Sequence, residues 1–126
     1  MKKLLISHNN PDKRRDYVIS LRKIVTFNHN SYVFTLRYVP DKLILQHGAF
    51  DDYLEQCQIL GQLPEWTTPE GLALHVLEDI MDEIVPKWVG LSIVRKGEDG
   101  GLEVKIAVED RQPQWHDEAL LQRLAV

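Results

Sequence analysis

Cysteine is almost missing from this chain. Cys57 is the only one in 126 residues, so no disulfide can form within a single copy, and a reducing compartment is expected. Long apolar runs are missing too: none approaches the roughly 18 residues a membrane-spanning helix needs. Leu4-Leu5-Ile6 near the start is interrupted by His8-Asn9-Asn10-Pro11, too short for a signal-peptide core. A cytoplasmic protein, mature from Met1 and without membrane partners, is therefore expected. There is no surplus of cations: 15 Lys+Arg stand against 19 Asp+Glu, a net charge of −4, so nucleic acid is not an expected partner. Internal repeats and low-complexity stretches are also lacking. What remains is 44% apolar and 27% charged residues, the proportions of a single globular domain large enough for a modest core.

Residues 1–15 read as an N-terminal arm. Asn9-Asn10-Pro11-Asp12 is turn chemistry, and Lys13, Arg14 and Arg15 add solvated charge. A phosphate-binding arm is the functional reading of that basic patch; a soluble lead-in to the first strand is the plainer one. From Asp16 the pattern alternates with period two through Tyr17, Ile19 and Leu21 to Val25 and Phe27, predicting a strand. After Asn28-His29-Asn30-Ser31, Tyr32, Phe34, Leu36 and Tyr38 alternate in a second strand, and so short a connection predicts an antiparallel hairpin. Between Gly48 and Gly61 the spacing becomes helical, with Phe50, Leu54 and Cys57 on one side and Asp51, Asp52 and Glu55 gathered in the first turn, facing water. Thr67-Thr68-Pro69-Glu70 then predicts a helix start: Thr68 caps, Pro69 has no N–H to leave unpaired, and Pro86 stops the helix about four turns later. Leu72, Val76, Ile80 and Ile84 form its apolar stripe, and Glu78, Asp79, Asp82 and Glu83 read as its solvated face rather than a cation site. Trp88 to Val94 and Leu102 to Val108 predict two more strands joined through Gly97-Glu98-Asp99-Gly100-Gly101, and 116–124 a short amphipathic helix carrying Leu120, Leu121 and Leu124.

The order β-β-α-α-β-β predicts one α+β domain over 16–110, an antiparallel four-stranded sheet with two helices on one face, followed by a tail or short helix over 111–126. Such a sheet leaves its second face and both edges open, so assembly into a homo-oligomer through the edges is expected.

Tyr38-Val39-Pro40-Asp41-Lys42 after a strand, followed by Tyr53-Leu54, resembles the tunnelling-fold enzymes. The closest resemblance is to the NADPH-dependent 7-cyano-7-deazaguanine reductases, the QueF-like proteins. Arg15-Asp16-Tyr17, Glu70 with Leu72, Val76 and Asp79-Ile80, Pro86-Lys87-Trp88 and Gly100-Gly101-Leu102 extend it over about residues 15–109. GTP cyclohydrolase I is similar in element order and in a glutamate at the corresponding point of its second helix. The resemblance implies a purine or pterin ring bound between subunits and anchored by Glu70. The chemistry suits that role, because a carboxylate accepts two parallel hydrogen bonds from the N–H and NH₂ edge of a guanine-like ring. Each such charge-assisted bond is worth about 1.5–3 kcal/mol. The helix N-terminus favours the ionised form. A favourable first-turn acid is the plainer account of Glu70. Trp66, just before it, could flank the ring.

The chain also departs from the family pattern. Where the reductases carry a cysteine nucleophile and an acid between the first two strands, this chain has Val25-Thr26-Phe27-Asn28-His29-Asn30-Ser31. Asp99 stands in place of the arginine before Gly-Gly, and Pro69 in place of the histidine before the glutamate. Nitrile reduction thus lacks its nucleophile, and NADPH is expected only if reductase activity were retained. Cys57 reads as a buried small hydrophobe. His29 is the weak catalytic candidate, with a surface-turn residue as its plainer reading, and His75 reads as a packing residue. No metal is expected, because the zinc site of the cyclohydrolase needs two cysteines and His8, His29, His47 and His75 show no ligand spacing. The leading expectation is a ring-binding protein without the reductase nucleophile. The alternatives are an oligomeric scaffold with a vestigial pocket, or a cyclohydrolase- or aldolase-type enzyme using His29 or a metal.

Overall fold

In a computed structural model of the chain, residues 4–27, 29–60, 68–97 and 100–124 are described. The elements in order are β1 (Ser7–Asn9), β2 (Ile19–Phe27), β3 (Asn30–Val39), β4 (Leu43–Leu45), α1 (His47–Leu60), α2 (Pro69–Ile84), β5 (Trp88–Arg95), β6 (Val104–Arg111) and α3 (Glu118–Leu124). The predicted β-β-α-α-β-β frame is present as β2, β3, α1, α2, β5 and β6. The sheet is fully antiparallel in the order β2-β3-β5-β6, which leaves β2 and β6 as its edges.

Register explains why this alternation works. Val25 pairs with Tyr32, Phe34 with Ile93, Leu36 with Leu91 and Tyr38 with Val89, so the inward set of each strand meets the inward set of the next. Directly opposed residues share a face, and a slip by one would turn every one of them to water. On that face lies the main core, where Phe27, Phe34, Leu36, Tyr38, Val89 and Ile93 meet Leu72, Ala73, Val76, Ile80 and Ile84 of α2 and Phe50, Leu54 and Cys57 of α1. Each fully buried aliphatic or phenyl side chain contributes about 1.5–3 kcal/mol through removal from water. Lys23 breaks the apolar pattern of this face at the β2 edge, where its ammonium pairs with Asp51 and Glu55 of α1.

Four features differ from the sequence expectation. The N-terminal arm is not free of the domain: β1 pairs with β4 in a separate two-stranded sheet, Leu5 is buried, and Asn10 is only 4% exposed. Three-residue strands carry too little pattern to be seen in advance. Asn10 is held from both ends, its amide donating to Asp41 O at 2.7 Å and its Oδ1 accepting from Asp12 N at 3.1 Å and the Tyr17 hydroxyl at 2.5 Å. Second, β2 starts at Ile19 rather than Asp16, because Asp16 is drawn away to Lys87 and Trp115. Third, α1 starts at His47, so Asp51, Asp52 and Glu55 lie beyond its first turn and have no first-turn dipole role.

Fourth, the second face of the sheet is not wholly open. Helix α3 lies across one end of it, where Leu120 joins Val39 and Trp88, with Val18, Trp115, Leu121 and Leu124 around them. Arg37 Nη1 donates to Leu124 O at 2.9 Å and so holds the last turn of the helix against β3. Gly90 is required beneath this layer. A Cβ there would lie 2.4 Å from the Trp88 ring, whose Nε1 donates to Glu109 Oε2 at 2.7 Å.

Candidate functional site

Helix α2 begins as its sequence predicts. Thr68 is extended (φ −121, ψ 144) and its Oγ1 accepts from Gly71 N at 3.1 Å, with Pro69 in the first turn. That places Glu70 in the same turn, exposed, with neither a hydrogen bond nor an ion pair to the described residues. The other end of α2 closes at Val85, a left-handed residue (φ 41) forced out of the helix by Pro86, with its N–H returned to Met81 O at 3.1 Å.

Topology decides what lies near Glu70. Only three residues separate the end of α2 from the start of β5, so the two run in opposite directions, and α2 packs on β5 and β6. Sixteen helical residues rise about 24 Å and eight strand residues span about 26 Å. The start of α2 therefore lies at the level of Arg95, the last residue of β5. The β2–β3 hairpin closes at this same end. Phe27 pairs with Asn30, so only two residues form the turn, and His29 adopts φ 68 there. A left-handed residue at such a turn matches the twist of the two strands. His29 is exposed. Trp66 lies outside the described residues.

His29 lines a cleft of about 680 Å³ at this end, shared with Asn30, Ser31, Arg95, Lys96, Gly97 and Gly101. A second, smaller cleft of about 380 Å³ lies along the helix-free face between Thr35, Arg37, Ser92 and Lys105. Glu70 lines neither. The fold thus gathers Glu70 and His29 at one end of the sheet without bringing them together in either of these two clefts of the described residues.

The other sequence candidates fall elsewhere. Cys57 is buried in α1, and burial pushes its thiol up to about 12, which favours the protonated form at neutral pH. Beside it, the Tyr53 hydroxyl donates to Asp79 Oδ2 at 2.5 Å, and His75 Nε2 lies 3.0 Å from the same oxygen. Burial raises the Tyr53 phenol far above its ordinary range, so it remains a donor. This group ties α1 to α2. Asp79 is consequently half-buried and partnered, unlike the solvated Glu78 and Asp82 with which the sequence grouped it. The signal was present as a His-x-x-x-Asp spacing on one helix, which sets the two side chains side by side. Among the described residues no group of three or more His, Cys, Asp or Glu side chains is placed to hold a metal. The alternation of the strand gave no prominence to Arg95 and Lys96 at its end. Two consecutive cations at a strand end before Gly97 were the available sign.

No protein-family model matches the sequence, and no curated protein matches it either. Among solved structures, the chain is similar to an archaeosine synthase QueF-like protein in its apo form, with a TM-score of 0.57 and 18% identity over 75% of this chain and 91% of that one. The architecture described above is therefore the α+β tunnelling fold in its QueF-like form.

Proposed function

We propose that this chain binds a guanine-like purine, deazapurine or pterin ring at a subunit interface, with Glu70 as its anchor. The supporting observation is the capped first turn of α2. It presents a carboxylate that is exposed and has no partner among the described residues, at the end of the sheet where the β2–β3 hairpin and the β5–β6 loop also meet. Two parallel acceptors of that kind suit the N–H and NH₂ edge of a guanine-like ring. Glu70 lines neither of the two clefts described above, and on this reading a neighbouring copy supplies the second wall of the pocket. The open β2 and β6 edges are the means of assembly into a homo-oligomer. Trp66, four residues before Glu70 in the sequence, is the candidate to flank the ring.

The reaction, on this reading, is not nitrile reduction. A two-residue hairpin occupies the place of the family's nucleophile loop, and the single cysteine is buried and protonated. NADPH is accordingly not needed. One solved structure similar to this chain is named archaeosine synthase QueF-like, so deazaguanine derivatives are the first ring compounds to try.

The test is a thermal-shift screen of the full chain with guanine, 7-deazaguanine derivatives and dihydropterins. A ligand at a hundred times its Kd stabilises by about 2.7 kcal/mol. Glu70→Gln keeps the shape but exchanges one acceptor for a donor, and it should abolish the shift. A second reading, an oligomeric scaffold with a vestigial pocket, draws on the absence of Glu70 from the two clefts described above and predicts no shift with any ring compound in either protein.

A further inference from the structure

The two edges of the sheet are not equivalent. Edge β2 is guarded twice: Lys23 points to the helix side and pairs with Asp51 and Glu55 of α1, and the outward Thr26 N–H donates to Gln58 Oε1 at 2.8 Å. An inward charge and an occupied backbone donor both discourage a further strand. Edge β6 carries a single helix-side charge, Asp110, at its second-to-last position, while Ile106 and Val108 ahead of it are apolar. Beyond Arg111 the chain turns inward, where Gln112 Nε2 donates to Asp41 Oδ2 at 2.8 Å and to Val85 O at 3.1 Å.

The backbone of β6 shows which groups face the edge. Gln112 N donates to Lys87 O at 3.0 Å, one step past the register pair Trp88 with Arg111. Hydrogen-bonded pairs alternate along an antiparallel ladder, so Lys105, Ala107, Glu109 and Arg111 turn their N–H and C=O outward. Their side chains lie on the helix-free face, and with Glu103 just before the strand they read Glu-Lys-Ala-Glu-Arg. Laid antiparallel on a second copy about Ala107, that series sets Glu103 against Arg111 and Lys105 against Glu109, each pair twice by symmetry. Opposite charges directly across a ladder stabilise it, and like charges destabilise it. A shift of two residues either way would set Lys105 against Arg111 or Glu103 against Glu109. Glu109 is already directed along this face by Trp88 Nε1 at 2.7 Å and stays 55% exposed.

The helix side of this edge is apolar. Asp79 meets Tyr53 on the α1 flank of α2, so Leu74, Leu77 and Met81 on the opposite flank face β6. Leu77 and Met81 pack partly buried beside Ile106 and Val108, and Leu74 is 56% exposed. Centred on Ala107, Ile106 of one copy stands opposite Val108 of the other, and the two α2 flanks meet over them. We propose that two copies of this chain join through β6, in antiparallel register about Ala107, into a two-fold dimer with one continuous sheet. A two-fold contact needs a self-complementary surface, and β6 supplies one in charge above the sheet and in apolar surface below it. The inference rests on the ring-binding reading only in that copies meet at a sheet edge; no ligand enters its test, so either can fail without the other.

Oxidative cross-linking of full-chain variants reads both the contact and its register. At the axis the two Ala107 Cα atoms would lie about 5.5 Å apart, within disulfide reach. Ala107→Cys should therefore form a disulfide dimer, while the parent, whose Cys57 is buried, stays unlinked. Lys105→Cys and Glu109→Cys should each stay unlinked alone, since like positions are roughly 14 Å apart, and should link when mixed. Sedimentation equilibrium supplies the second readout. Lys105→Glu creates two like-charge pairs across the axis and should weaken dimerisation at least fivefold, and Lys105→Glu/Glu109→Lys should return it to within twofold of the parent. If the double variant loses its near-ultraviolet circular dichroism, because Glu109 also holds Trp88, the outer pair takes its place, with Arg111→Glu weakening the dimer and Glu103→Arg/Arg111→Glu restoring it. A parent that stays monomeric up to millimolar concentration overturns the proposal. So does an unlinked Ala107→Cys, a link in Lys105→Cys alone, an undiminished dimer in Lys105→Glu, or failure of a folded charge exchange to restore it. A head-to-tail contact of β6 with β2 would instead link Glu109→Cys with Arg22→Cys and leave Ala107→Cys unlinked, which also overturns it.

Discussion

The start of α2 carries both the cap and Glu70, so its energetics can be tested apart from any ligand. Thr68 Oγ1 accepts from Gly71 N at 3.1 Å, and replacing such a cap by alanine costs about 1 kcal/mol. Gly71 is the second half of the experiment. Glycine in a helix is about 0.5–1 kcal/mol worse than alanine, so Gly71→Ala should be a gain. A Cβ on Gly71, however, would lie 3.2 Å from Thr68 Oγ1, tighter than ordinary contact, so part of that gain is spent displacing the cap. Once Thr68 is alanine the obstacle is gone and the full gain appears. The two substitutions should therefore couple by about 0.5 kcal/mol or more, as neighbours in contact do. Urea denaturation of the four proteins of the cycle measures this, and each kcal/mol should appear as roughly 3–5 °C in Tm for a chain of this size. Thr68→Ser, which keeps the hydroxyl, should fall within about 0.3 kcal/mol of the parent. Additive effects, or a Thr68→Ser loss as large as that of Thr68→Ala, would refute the argument that this hydroxyl organises the first turn.

Four further outcomes are expected. Gly90→Ala should destabilise by about 1–3 kcal/mol and alter tryptophan fluorescence, because the new Cβ must displace the Trp88 ring from 2.4 Å; unchanged stability and emission would contradict that packing. Val85→Gly should stabilise by about 0.5–1 kcal/mol, since a β-branched residue at φ 41 is strained and glycine is not, although glycine adds entropy to the unfolded chain. Cys57 should resist a thiol reagent at pH 8 until urea unfolds the protein, given its burial and a thiol pushed up to about 12; prompt labelling of the native protein would contradict it. At Asp16, burial acts to raise the carboxyl, but hydrogen bonds from Lys87 and Trp115 outweigh it and hold the group below its ordinary 3.8. The folded value is the lower one, so this stabilisation is complete above pH 3.8 and is lost as pH falls below it through the folded value. Asp16→Asn should accordingly lower stability at neutral pH and narrow its gap to the parent in acid titration.

The long elements were legible in the sequence because each carried several turns or strand repeats of one pattern. Tyr32 to Tyr38 could only alternate, and Leu72 to Ile84 could only form a stripe, so the β-β-α-α-β-β frame and the cap at Thr68 were determined locally. Short or non-local features were not. Strand β1 exists only because β4 lies beside it, Asn10 is buried only because Asp41 and Tyr17 converge on it, and α3 covers Trp88 only because the chain returns across the sheet. The same division runs through the candidate sites. The sequence alone could single out Glu70, because a capped acidic first turn is written in four consecutive residues. Arg95 and His29, 66 positions apart, share a cleft only once the hairpin and the end of β5 are set side by side. Hydrogen-bond register between strands joins them, and register depends on the whole pleated sheet rather than on any stretch of chain.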